Sequence, residues 1–123
     1  MQSNKIESGR AEFALKEVKR VVETNGVKLK EYKSYCRKFP SMVQTNGIAA
    51  SVAFMLDKGG TYDHLYDNIN GWLKECKLLP EKTTLETYVC SLDSVQYRVV
   101  TKEVLALFNW IRRFASGLIE GDA

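Results

Sequence analysis

Nucleophilic catalysis needs a thiol or hydroxyl beside a base, and the sequence offers one histidine, His64, and three cysteines, Cys36, Cys76 and Cys90. On a helix read at 100° per residue, His64 points away from the arc of Tyr62, Leu65, Ile69 and Cys76. It falls among Asp63, Asp67, Gly71 and Lys74, exposed and out of reach of a buried Cys76. The cysteines stand 40 and 14 residues apart, which matches neither a disulfide framework nor paired-thiolate zinc spacing, so they read as reduced, mostly buried thiols. Asp63 and Asp67 are the nearest approach to a divalent-cation pair, and paired acids on a helix surface are ordinarily only solvated. No glycine-rich phosphate loop is present. The expectation is a non-enzyme with no catalytic residue, metal, cofactor or small-molecule substrate.

Cationic rows are the stronger signal. Lys30, Lys33 and Arg37 stand at i, i+3 and i+7 on the outward face of one helix, with Ser34 beside them and Lys38 about 100° round. Ser41 and Gln44 extend that row only if the helix continues through Pro40. Lys16, Lys19 and Arg20 form a second row, and Arg98, Lys102, Asn109 and Arg113 a third. The net charge of +3 is unevenly placed: residues 1–60 hold 11 Lys/Arg against 6 Asp/Glu, and residues 61–123 hold 7 against 9. Such a field favours a polyanion nearby, with rows spaced to follow successive phosphates and blind to sequence. The competing reading is a set of solvated faces, with acidic neighbours pairing the Arg98 to Arg113 row.

Helices must position these rows. Ala11, Ala14, Leu15, Val18, Val21 and Val22 share one arc, predicting a helix from about Asn4 to Thr24 that ends at Asn25-Gly26. A second helix from about Val27 turns Leu29, Tyr32, Tyr35, Cys36 and Phe39 inward, and Pro40 should kink or restart it before Met42 and Val43. Asn46-Gly47 leads into IAASVAFML, apolar nearly all round and therefore expected in the middle of the domain. Tyr62, Leu65, Tyr66, Ile69, Trp72, Leu73 and Cys76 mark a fourth helix. Thr83 and Glu86 are spaced as a capping box for a short fifth helix with Leu85, Val89 and Leu92 inward. The last helix, capped by Asp93 or Ser94, should run from Ser94 to about Leu118, roughly 37 Å, on a seam of Val100, Val104, Leu107, Ile111, Phe114 and Leu118.

No period-two alternation competes with this pattern, so an all-α fold is expected, a single compact bundle of five to six helices over residues 1–123. The length allows one core. Neither a bilayer-spanning run nor a signal peptide is evident, which points to a cytoplasmic protein without membrane partners. Outside the seams, Ile6 and Phe13 lie seven apart on the first helix, and Trp110 and Val99 sit at the margin of the last seam. Ile6, Phe13 and Trp110 are candidate protein contacts, coverage by a loop or the N-terminal residues being the alternative.

The run YKSYCRKFPSMVQTNGIAASVAFMLDKG, with YDHLYDNINGWL and YRVVTKEVLALFNWIRRFA, resembles the small-subunit family of the type III-B CRISPR Cmr effector complex. The resemblance extends from Arg10 to about Ala115. It implies a prokaryotic subunit that stacks with further copies of itself in a minor filament, beside other Cmr subunits, with guide and target RNA between them. Cleavage for antiviral defence would then belong to other subunits. Arg37, Lys38, Arg98 and Arg113 match the family's basic character, whereas Lys30 and Lys33 rest on geometry. Thr101 and Glu103 also match, and Glu103 is expected in a buried ion pair with Arg98 or another basic group. Cys36 departs from the family pattern. The alternative function is a protein-only scaffold that bridges subunits through Phe13, Trp110 and the helix ends.

Overall fold

The long C-terminal segment is helical for a local reason. Asp93 accepts a hydrogen bond from the Gln96 backbone N–H at 2.8 Å, and the Gln96 side chain accepts one from the Asp93 N–H at 3.3 Å. This reciprocal box starts a helix that runs Ser94–Leu118, the predicted span. The computed structural model describes residues 6–121, with side chains from residue 7. Its helices are α1 (Arg10–Glu23), α2 (Leu29–Asn46), α3 (Ile48–Lys58), α4 (Tyr62–Glu75), α5 (Leu85–Cys90) and α6 (Ser94–Leu118), and no strand occurs among the described residues. The fold is all-α, a bundle of six helices around a shared apolar cluster.

The predicted N-terminal start at Asn4, and the Ile6 side chain, lie outside the described residues. Within them α1 begins at Arg10, because Glu7 (φ 48°), Ser8 (φ 58°) and Gly9 (φ 93°) are left-handed and cannot continue a right-handed helix. The helix ends at Glu23, as the Asn-Gly signal predicts.

Pro40 lies inside α2 without ending it, so of the expected kink or restart the restart does not occur. The proline removes one backbone donor, yet Tyr32 and Cys36 before it and Phe39 and Val43 after it are all buried on one continuous seam. Tertiary packing of that seam outweighs the local cost.

α3, expected in the middle of the domain, has one side open, and the longest buried seam belongs to α6. α6 packs along α1 and α2 through Val100, Val104, Leu107, Phe108, Ile111 and Ala115, all buried. α3 rests on α2, α4 and α5, leaving Ala50, Ala53 and Leu56 on an open face. Leu118, expected in the α6 seam, points outward, since the chain turns extended at Ile119 and buries that residue instead.

α2 runs antiparallel to α6, with the Phe39 and Phe108 rings meeting at 4.8 Å between centroids and Lys33 reaching the carbonyl of Ile119. Past the end of α2, Tyr97 Oη accepts from the Ala49 N–H in the first turn of α3 at 3.0 Å. Gly47, between α2 and α3, is required beside that tyrosine. Its φ is +89°, and a Cβ there would stand 2.7 Å from Tyr97 Oη.

On α4, Gly71 leaves room for the Phe13 ring of α1, which lies on Trp72 at 5.1 Å. The cap of α5 is Thr84, one residue later than expected, with its hydroxyl accepting from the Thr87 N–H. No described helix is long and apolar enough to cross a membrane.

Candidate nucleic-acid interface

The uninterrupted α2 settles where its polar side points. Tyr32, Cys36, Phe39 and Val43 are buried, and Arg37, Lys38, Ser41 and Gln44 are exposed on the other flank. Ser41 and Gln44 therefore join the row, as they do only if the helix passes Pro40. A signal for that continuity was present in the sequence, since Phe39 and Val43 keep the i, i+4 spacing of Tyr32 and Cys36 across the proline.

The N-terminal half of the row is less open than predicted. Lys33 is half-buried, and its ammonium donates to the backbone carbonyls of Ile119 at 3.0 Å and Gly121 at 2.6 Å. The last turn of α6 contains no basic residue, so Lys33 supplies a cation to the negative end of that helix from across the bundle. Lys30 is exposed at its residue surface, but its methylenes lie against Gly121, where a Cβ would collide with Lys30 Cε.

On α1, Lys16 and Lys19 are exposed. Arg20 instead pairs with Glu17, Nη2 to Oε1 at 3.0 Å, and that hydrogen bond raises the guanidinium pKa. The same Glu17 oxygen accepts from Asn68 Nδ2 at 2.9 Å, and Asn68 Oδ1 accepts from the Tyr32 hydroxyl at 2.7 Å. Asn68 is fully buried, and burial drives the Tyr32 phenol far above its ordinary range. Arg20, itself exposed, thus closes a polar chain that ties α1, α2 and α4 together.

Along α6, Arg98, Lys102 and Arg113 are exposed, whereas Asn109 is half-buried and accepts from Arg112 at 3.1 Å. Arg98 is not the partner of Glu103. That partner is Arg10, whose Nε and Nη2 donate to the two carboxylate oxygens at 2.7 and 2.9 Å, with Trp72 Nε1 donating to Oε1 at 2.9 Å. The Arg10 hydrogen bonds hold the Glu103 carboxyl below its usual value against the opposing effect of burial. The expected ion pair therefore exists, and it leaves Arg98 outside it.

Phe13 and Trp110, proposed as exposed contacts, are both half-buried. Phe13 packs on Trp72, and Trp110 stacks on Phe114 at 6.0 Å, with its indole N–H enclosed and without a protein acceptor. Among the described residues the exposed large apolar side chains are Val95, Val99, Leu56 and Leu118. His64 also departs from expectation: it is half-buried, edge-on to the Tyr32 ring at 6.4 Å, in a shallow groove with Glu31 and Thr61. Cys36 is buried and its thiol pushed up to about 12 by desolvation, while Cys76 is half-buried and Cys90 exposed, not buried as expected. Among the described residues no group of three or more His, Cys, Asp or Glu is disposed to hold a metal.

Residues 6–118 match the family described as CRISPR-associated protein (Cas_Cmr5). The CRISPR system Cmr subunit Cmr5 of Thermus thermophilus is 30% identical over 90 residues, covering 73% of this chain and 76% of that protein. An X-ray crystal structure of a CRISPR-associated Cmr5 family protein, also from Thermus thermophilus, superimposes with a TM-score of 0.77 at 25% identity, covering 98% of this chain and 100% of the other.

Proposed function

This chain belongs to the Cas_Cmr5 family of CRISPR-associated proteins, and from that membership we propose that it is a non-catalytic small subunit of a prokaryotic Cmr ribonucleoprotein that grips RNA by its phosphates. The observation that carries this reading is the exposed polar flank of α2. Arg37, Lys38, Ser41 and Gln44 follow one another over two turns, opposite the buried seam that fixes the helix in the bundle. Helical spacing sets these groups along a line about 10 Å long, which suits successive phosphates of one strand. Hydroxyl and amide groups add uncharged contacts to phosphate or ribose, and nothing in the row reads bases.

Single-stranded guide or target RNA is the partner this chemistry fits, held independently of its sequence. Arg98 and Arg113 on α6 supply further cations, and other Cmr subunits, including further copies of this chain, complete the channel. Val95 and Val99, one turn apart and exposed on α6, favour a protein contact alongside the RNA-binding face.

Charge reversal at Arg37 and Lys38 tests the assignment. In the assembled particle the double variant should still incorporate but capture less target RNA, and the log–log salt dependence should flatten by about 1.4, the value for two lost contacts to a single strand. Unchanged capture by an intact particle would remove this face from the RNA path. Crosslinks from this face solely to protein would replace the RNA reading with that of a scaffold.

A further inference from the structure

We infer that the acidic segment following α6 is a strap that withholds Lys33 from RNA and yields it when phosphates compete. This rests on the RNA reading of α2 given above. Beyond Ile119, which is buried, Glu120 and Gly121 are exposed and anchor no side chain in the core. The segment is held by the Lys33 ammonium, on the carbonyls of Ile119 and Gly121, and by the Lys30 methylenes against Gly121. Gly121 has a φ of +99° and no room for a Cβ, so both its backbone and its missing side chain adapt it to this seat.

Glu120 and Asp122 flank that glycine in the sequence and make this stretch of chain acidic. The strap holds Lys33 where a polyanion would bind. Its hold on Lys33 is through neutral carbonyls, and a phosphate oxygen makes the stronger, charge-assisted bond to an ammonium. RNA arriving along Arg37 and Lys38 would displace the strap and extend its contacts to Lys33 and Lys30. Without RNA, Lys33 stays capped and binds stray anions less.

Gly121→Val in the full chain is the test. A β-branched residue at that φ is denied its conformation, and its Cβ collides with Lys30, while Ile119 stays in the core. Shortening the chain after Ile119 is unsuitable, because it would create a new carboxylate beside Lys33 Nζ. A second variant, Glu120→Gln with Asp122→Asn, removes the charge and keeps the length. Lysine labelling followed by mass spectrometry gives a readout without RNA: Lys33 should react about fivefold faster in Gly121→Val, with Lys38 unchanged as the reference. A uridine 20-mer should bind both variants more tightly, Gly121→Val by about tenfold at 0.1 M salt with the same log–log slope, since the bound state makes the same phosphate contacts. Equal labelling of Lys33 would show that nothing covers it, and the strap would be discarded. Faster labelling with unchanged RNA affinity would overturn the competition while leaving the RNA reading of Arg37 and Lys38 intact. Failure of every form to bind RNA at low salt would overturn that RNA reading itself.

Discussion

Replacing Glu103 with alanine should destabilise the protein by about 3 to 4 kcal/mol. The carboxylate accepts two hydrogen bonds from the Arg10 guanidinium and one from the Trp72 indole, and the Arg10 and Glu103 side chains are only 23% and 18% exposed. Loss of the bidentate, charge-assisted pair contributes about 2 kcal/mol, and leaving the Trp72 N–H unsatisfied in a site 4% exposed adds about 1 to 2 kcal/mol. For a chain of this length the midpoint of thermal unfolding should fall by about 12 °C. Urea unfolding followed by far-UV circular dichroism measures the difference, and a cycle with Arg10→Met should return a coupling of about 2 kcal/mol. The pH dependence has a definite sign. Arg10 holds the folded-state pKa of Glu103 below its ordinary 4.5, so this stabilisation is complete above that value and is lost as pH falls through the folded-state pKa. The gap between wild type and Glu103→Gln should therefore shrink toward pH 3. A Glu103→Ala protein within 1 kcal/mol of wild type at pH 7, or a Gln gap that persists undiminished in acid, would refute the reasoning.

Pro40→Ala should raise stability by about 1 to 2 kcal/mol, since it restores an α2 hydrogen bond and removes ring crowding, less the entropy that proline takes from the unfolded chain; chemical denaturation checks the sign. Asn68→Ala should cost about 2 to 3 kcal/mol in the same assay, because the buried Tyr32 hydroxyl loses its acceptor and Glu17 loses a donor. Iodoacetamide at pH 8 should modify Cys90 first and Cys36 last, as Cys90 is exposed and burial pushes the Cys36 thiol up to about 12; early modification of Cys36 by mass spectrometry would contradict its burial.

Local chemistry was legible in the sequence wherever it is local in space. The Asp93 cap and the apolar period from Val100 onward set α6 at its observed limits, and the inward arcs of α2 and α4 are the buried ones. Pro40 misleads because its cost is local while the compensating burial of Phe39 and Val43 comes from α6 and the rest of the core. Lys33 reads as a surface cation because its acceptors lie 86 and 88 residues away, and the same distance effect hides Arg10 as the partner of Glu103. Phe13 looks stranded on α1 until Gly71, on another helix, opens a seat for it over Trp72. Helical periodicity reports which flank of a rod is greasy, but not which neighbour completes a polar side chain.

α6 is tied at each end by a different chemistry, its Tyr97 hydroxyl on a backbone N–H at the start of α3 and the carbonyl after its last turn on Lys33 of α2. Sliding α6 by a single turn, about 5.4 Å, would break both ties and draw the Phe39 and Phe108 rings apart. The register of α6 against its neighbours is consequently set at both of its ends.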